Sequence, residues 1–254
     1  MTGRVQGKVA LVTGGAGGLG RAVVTQLHAE GASVVIGDIQ DGPGAAFAAE
    51  LGERAAYVHH DVGDEASWKA ALQAVQARFG QLDILVNNAA ILQHGDVETA
   101  TLAQFRRIMQ INADSVFIGC QQAIGAMKER GGSIVNVASV SSWLPVDGYA
   151  AYSASKAAVG SLTRSAAFHC RKKGWPIRVN SVHPDAIWTP MMQSTLPAGV
   201  PASMVMWDAK ANPKGRAYLP EDIARVIVFL ASDDSKVISG AEVRADNAIL
   251  GMGL

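Results

Sequence analysis

Net charge is the first thing this chain lacks: 22 lysines and arginines balance 22 aspartates and glutamates across 254 residues. Binders of nucleic acid or of anionic membrane surfaces normally carry a basic surplus, so neither partner is expected. Cysteine is nearly absent too. Cys120 and Cys170 form no CxxC pair and no metal-ligand spacing, which leaves no basis for a disulfide framework or a bound metal. They read as thiols of a reducing compartment. Long hydrophobic runs are missing as well. The most apolar stretch, "IARVIVFLA" (Ile223 to Ala231), contains Arg225 and is far too short to span a bilayer. The opening residues "MTGRVQGKVALVT" lack a basic segment followed by a long apolar one, so no signal peptide is expected. These absences converge on a soluble, cytoplasmic protein.

What is present is glycine and a regular alternation. The runs "KVALVT", "SVVIGD", "AAYVHHD", "LDILVNN", "GSIVNVAS", "IRVNSVH" and "GAEVRAD" read as seven strands, separated by stretches of helical period. Their apolar residues fall on both faces, as strands covered by helices on each side require. Strand–helix alternation of this kind implies a doubly wound parallel sheet with right-handed crossovers. No linker or repeat divides the chain, so one domain over residues 1–254 is expected. The segment from Trp188 to Pro220 escapes the alternation. Its prolines and glycines break every period, and it reads as a substrate loop at about 188–220.

Five glycines crowd between Gly14 and Gly20, directly after the first strand and at the start of a helix. Glycines there let the backbone approach a pyrophosphate, and a helix N-terminus offers free N–H groups and positive potential. Two registers fit: G-x-G-x-x-G on Gly15, Gly17 and Gly20, or G-x-x-x-G-x-G on Gly14, Gly18 and Gly20. Asp38 ends the second strand, where a carboxylate can accept from both adenosine ribose hydroxyls. A 2′-phosphate would need a basic partner instead, yet Gly17 and Ile39 occupy the flanking positions. The expected cofactor is NAD rather than NADP.

Tyr152 and Lys156 lie four apart on a helical stretch and so share a face. Ser139 stands thirteen residues before Tyr152, at the end of an apolar strand, which in an open α/β sheet is the ligand-binding edge. With "LVNNAA", "NVASVSSW" and "YAAYSASKAAV" in place, the chain resembles the short-chain dehydrogenase/reductase family from Lys8 almost to its end. The resemblance implies a single-domain Rossmann-like fold and the second glycine register, on Thr13, Gly14, Gly18 and Gly20. The family's N-N-A-G motif appears as Asn87 to Ala90, with alanine last, and its P-G-x-x-x-T stretch as Pro184 to Thr189, with Asp185 for glycine.

By the same resemblance, Gly14, Gly18, Leu19, Gly20, Asp38, Asp61, Val62, Asn88, Ala89, Tyr152, Lys156, Ile187 and Thr189 contact the dinucleotide. Asn112, Ser139, Tyr152 and Lys156 form the catalytic set, and Ser139 and Tyr152 touch substrate. Tyrosine is a poor base near neutrality unless a cation favours its phenolate, which Lys156 could supply. Ser139 would bond the substrate oxygen, Lys156 would hold the nicotinamide ribose, and Asn112 would position a relaying water. A homotetramer is also implied. "SVSSWLP", "RVNSVHPDAIWTPMMQSTLPAGV" and "ADNAILGMGL" resemble the bacterial 3β/17β-hydroxysteroid dehydrogenases, a branch in which Pro-Asp replaces Pro-Gly. That points to a bulky hydrophobic alcohol or ketone, walled by Trp143, Leu144, Trp188, Met191, Met192, Leu196, Val200, Met204, Met206 and Trp207. The rivals are a relative acting on other bulky alcohols, a sugar epimerase, for which the chain is short, and a nucleotide-binding scaffold without turnover. His59 and His60 point to opposite strand faces and read as bland rather than metal-binding. Ser141 and Ser142 read as turn residues, and His183 as a satisfied strand-end histidine.

Overall fold

In the computed structural model, which describes residues 3–197 and 199–251, the aliphatic runs form β1 (Val9–Thr13), β2 (Ser33–Asp38), β3 (Ala55–His59), β4 (Ile84–Asn87), β5 (Gly132–Val137), β6 (Ile177–Pro184), β7 (Ala186–Ile187), β8 (Ala217–Tyr218) and β9 (Glu242–Ala245). Seven of them make one all-parallel sheet in the order β3-β2-β1-β4-β5-β6-β9. Chain order reverses between β1 and β4, and a crevice opens at such a switch point. The expected seven-stranded Rossmann-like architecture is the one found. Residue 198 of the expected loop and residues 252–254 of the C-terminal stretch lie outside the described residues.

The helices are α1 (Gly18–Ala29), α2 (Asp41–Leu51), α3 (Glu65–Phe79), α4 (Leu102–Met109), α5 (Ser115–Met127), α6 (Ala150–Lys173), the single turns α7 (Pro190–Gln193) and α8 (Ala202–Val205), and α9 (Pro220–Ala231). Alternate strand residues feed opposite cores. Ala10, Val12, Val34, Ile36, Val86 and Val135 pack with α1 and α9. Val9, Leu11, Val35, Leu85, Ile134 and Val179 pack with α3, α5 and α6. Helix ends follow local chemistry. Asp64 caps α3 by accepting from the Ala66 and Ser67 N–H groups, and Gly80 stops it at φ 77°. Between α4 and α5 the helix widens into a π turn over Gln110–Asp114.

Sequence periodicity did not reveal β7 and β8. Two-residue strands show no period, but their pairing of Ala186 with Ala217 and Ile187 with Tyr218 closes the base of the 188–216 segment. The rest of that segment is irregular apart from α7 and α8, as its prolines and glycines imply. Among the described residues no helix is long and apolar enough to cross a membrane.

One hydroxyl joins the two halves of the switch point. Thr13, buried at the end of β1, accepts from the Asn88 and Ala89 N–H groups, each at 3.0 Å. The Asn88 amide nitrogen returns bonds to the carbonyls of Thr13 (2.9 Å) and Gly14 (3.1 Å). Thr13→Val keeps the shape and leaves two donors without an acceptor. It should cost about 2–6 kcal/mol, at roughly 1–3 kcal/mol per unsatisfied group. Urea denaturation of the two proteins measures this, and an unchanged midpoint would contradict the role given to the hydroxyl.

Candidate active site

The glycine loop leaves β1 and enters α1 with its backbone exposed to the crevice. Gly14 and Gly18 have φ of 62° and 50°, a region that side chains disfavour. A Cβ on Gly20 would stand 2.0 Å from the Gly14 carbonyl oxygen. Gly17, at φ −145° with open space around it, carries no such constraint. The backbone therefore requires glycine at 14, 18 and 20, and the G-x-G-x-x-G reading is fortuitous. No side chain caps α1, no acid lies in its first turn, and among the described residues no acceptor meets the N–H groups of Leu19 and Gly20. A phosphate would find free donors and the positive helix end there.

Asp38 is buried at the carboxyl end of β2. Its Oδ2 accepts from Ala16 N–H and its Oδ1 from Gln40 N–H, both at 3.0 Å, which leaves further lone pairs for hydroxyl donors. Beside it, Asp41 accepts from the Tyr57 hydroxyl (2.6 Å) and contacts His59 Nδ1 (2.8 Å). Arg21, on α1, is engaged by Glu50 and by the face of Phe47. Asp61 turns back on the Gly63 N–H at 2.8 Å, and Val62 is buried. On the opposite rim, the Thr189 methyl stands 3.4 Å from where a Gly18 Cβ would be, so the segment after β6 reaches the glycine loop.

The candidate catalytic residues converge at the ends of β5 and α6. Ser139 N-caps a 3₁₀ turn, Val140–Ser142, with its Oγ accepting from Ser141 N–H at 3.1 Å. Burial pushes the Tyr152 phenol up to about 12, and hydrogen bonding with Ser139 pulls the other way. Lys156, 3 % exposed, donates from Nζ to the Val137 carbonyl at 2.8 Å and lies 5.7 Å from the Tyr152 ring centroid. Burial lowers its ammonium to about 8. Lysine has three N–H donors, so two remain for another partner. Asn112 sits fully buried in the π turn. Its amide exchanges bonds with the backbone of Ile91 (2.8 and 2.9 Å) and donates to Ser155 Oγ at 3.2 Å. It thereby ties the chain after β4 to the helix carrying Tyr152.

A family model described as "Enoyl-(Acyl carrier protein) reductase" matches residues 14–248. The chain is 62 % identical, over the full length of both proteins, to a 3-beta-hydroxysteroid dehydrogenase of Comamonas testosteroni. It is 42 % identical to a 3-alpha-(or 20-beta)-hydroxysteroid dehydrogenase of Mycobacterium tuberculosis, over 97 % of this chain and 90 % of the relative. It is 38 % identical to an NADP-dependent (R)-specific alcohol dehydrogenase of Lentilactobacillus kefiri, over 97 % and 98 %. The chain belongs to the short-chain dehydrogenase/reductase family. It is an oxidoreductase of CH–OH groups that works with a nicotinamide dinucleotide, and the uncapped α1, the required glycines and the spare donors of Lys156 fit that cofactor.

Both family departures suit the backbone. Ala90 and Asp185 lie outside the positive-φ region, so neither position demands glycine. His59, the last residue of β3, and His60 just after it do diverge: His59 is exposed on Asp41, while His60 is buried edge-on against Trp68 at 4.4 Å. Among the described residues no group of three or more metal-ligating side chains gathers. His183 is satisfied, as its strand-end position suggests, yet its partners were not readable from sequence. Its Nδ1 meets the Ser139 carbonyl at 3.1 Å, which can only accept, so Nδ1 carries the proton. Nε2 then accepts from the Ser181 hydroxyl at 2.8 Å, and Trp143 stacks on the ring at 4.2 Å. Burial lowers His183 to about 4, in keeping with a neutral ring.

The phenol gives the reaction a pH signature. With Tyr152 as the proton-transfer group, alcohol oxidation would need it deprotonated and ketone reduction would need it protonated, and burial raises its pKa. Oxidation should therefore climb with pH through the neutral and mildly alkaline range, while reduction falls at the alkaline end. Tyr152→Phe should lose roughly two to four orders of magnitude in kcat, the usual share of general acid–base catalysis. It should bind the dinucleotide as before. kcat measured across pH in both directions, with cofactor binding by fluorescence, tests this; above a tenth of wild-type turnover in the variant would exclude Tyr152 as the proton-transfer group.

Proposed function

We propose that this protein is an NAD-dependent hydroxysteroid dehydrogenase interconverting a 3β- or 17β-hydroxyl and the ketone. The observation that carries the reading is the meeting of Ser139, Tyr152 and Lys156 beside a dinucleotide cradle. The substrate class rests on the full-length relative from Comamonas testosteroni. A dinucleotide held in this cradle would supply the acceptor or donor of the hydride exchanged with the carbinol carbon. Tyr152 takes the hydroxyl proton in oxidation and gives it back in reduction. Ser139 holds the substrate oxygen and stabilises its developing charge. Lys156 favours the phenolate and holds the nicotinamide ribose, and Asn112 fixes the chain on which relaying water would sit. Gly14, Gly18, Leu19, Gly20, Asp61, Val62, Asn88, Ala89, Ile187 and Thr189 complete the cofactor contacts.

The apolar segment after β6 supports a large hydrocarbon substrate. Met191, Met204 and Trp207 are exposed along it, and Trp143 stands beside Ser139. Methionines adapt to irregular surfaces, and apolar walls with few polar groups suit fused rings. The second reading, another bulky alcohol, draws on the same walls. NAD is favoured because Asp38, buried at the end of β2, keeps lone pairs for hydroxyl donors and Arg21 is already paired. A homotetramer, carried over from the family, is supported by Phe117 on α5 and Phe168 on α6, both exposed. The reading also has the protein working in the cytoplasm.

Two measurements decide these points. Steady-state assays with NAD should give a micromolar KM for a 3β- or 17β-hydroxysteroid and poor turnover of 2-propanol. A higher kcat/KM for small alcohols or sugars would remove the steroid assignment and leave the dehydrogenase. NAD should exceed NADP in kcat/KM, and Asp38→Ala should narrow the gap. Equal use of both cofactors by the wild type would overturn the NAD preference.

A further inference from the structure

Asp185, where the family motif has glycine, faces Arg216 in a bidentate pair. Arg216 Nε donates to Oδ2 and Nη2 to Oδ1, each at 2.8 Å. The aspartate side chain is 6 % exposed and Arg216 46 % exposed, so this is a charge-assisted fork with its carboxylate sheltered and its guanidinium at the surface. The two residues sit on the two feet of the 188–216 segment. Asp185 is anchored to the sheet by its N–H, which donates to the Ala245 carbonyl on β9 at 3.2 Å. Immediately inside the pair, Ala186 and Ile187 run alongside Ala217 and Tyr218.

Between the feet, the segment bonds to itself. Asn212 Nδ2 donates to the carbonyls of Ser203, Met204 and Met206, and Asp208 Oδ1 accepts from Lys210 and Ala211 N–H. Trp207 N–H donates to Ala217 on the far foot, and Arg216 N–H to Val205. The segment is therefore a unit of its own, carried on its base. The same base sets Ile187 to Thr189, whose threonine methyl reaches Gly18 of the phosphate loop.

We propose that Asp185 and Arg216 are positioning residues: their ion pair latches the base of this segment, fixing both the Ile187–Thr189 edge over the dinucleotide and the apolar wall over a bulky substrate. The part concerning substrate rests on the dehydrogenase reading given above, whereas the latch itself does not. Breaking the fork frees the feet without touching Ser139, Tyr152 or Lys156. The loss falls on binding, because the proton-transfer groups are held by other elements.

The test uses Arg216→Gln, Asp185→Asn and the conservative Arg216→Lys, which keeps the charge and loses the fork. Limited trypsin digestion of the full-length protein reads the latch directly, since Lys210 and Lys214 lie within the segment. Cleavage there should quicken on the order of tenfold in the Gln and Asn variants, as expected when a hydrogen bond to a charged group is removed. Arg216→Lys should fall between them and the wild type, with the thermal midpoint of the whole domain nearly unchanged. KM for a hydroxysteroid should rise on the order of tenfold, kcat should change little, and KM for 2-propanol should hold. Wild-type cleavage rates in both variants would overturn the latch. Faster cleavage with unchanged KM for every substrate would overturn its positioning role, and no steroid turnover in the wild type, with cleavage still faster, would fault the substrate reading alone.

Discussion

Lys156 carries its ammonium almost entirely out of water, with one carbonyl as its hydrogen-bond partner and no carboxylate paired to it among the described residues. Burying a charge on such terms is costly, and its pKa falls accordingly to about 8. Much of the site's construction follows from keeping that cation where it is. β5 must deliver the Val137 carbonyl beneath it, and α6 must start at the sheet's carboxyl edge so that Lys156 and Tyr152 share the inward face. The unspent donors of the lysine are what a ribose would satisfy. Tyr152 feels the same burial in the opposite sense, its neutral phenol being favoured up to about 12. Near neutrality the two groups therefore stand as an ammonium beside a neutral phenol.

A parallel sheet makes this possible because every strand ends at one edge. Thr13, Asp38, Asn87 and Val137 close β1, β2, β4 and β5 there, and the loops that follow are adjacent without long excursions. Buried polar groups lock the edge. Thr13 bridges to Asn88 and Ala89, Asn87 donates to Asn136 across β4 and β5 at 2.8 Å, and Asn136 donates to Thr163 on α6 at 2.9 Å. Such networks rigidify when satisfied and cost heavily when broken. They set the helix that presents Tyr152 against the strands that present Ser139.

Much of this was legible in the chain because its signals are local. Aliphatic runs covered on both faces identify parallel strands, and the glycines at 14, 18 and 20 are demanded by backbone angles and a close approach that no other residue meets. Tyr152 and Lys156 share a helix face by their spacing, a weak signal alone that gains force from Ser139 at the end of a strand. The unread parts are those whose partners are distant in sequence. His183 lies forty-four residues from the carbonyl it holds, and Arg216 thirty-one from Asp185. The two-residue strands β7 and β8 have no period to detect.

Asp185 shows why a departure from a motif need not weaken it. Glycine at that position would leave Arg216 without its fork and the base of the segment held by backbone hydrogen bonds alone. With aspartate, the backbone keeps ordinary angles and the side chain gains a structural task. The segment's apolar residues can then remain exposed along it, since the base holds the segment in place. Exposed methionine and tryptophan on a surface strand would invite aggregation; on the latched loop proposed above they would serve as a substrate wall. The charge pair at the base and the apolar surface along the segment are therefore two halves of one solution: the first supplies order that the second does not.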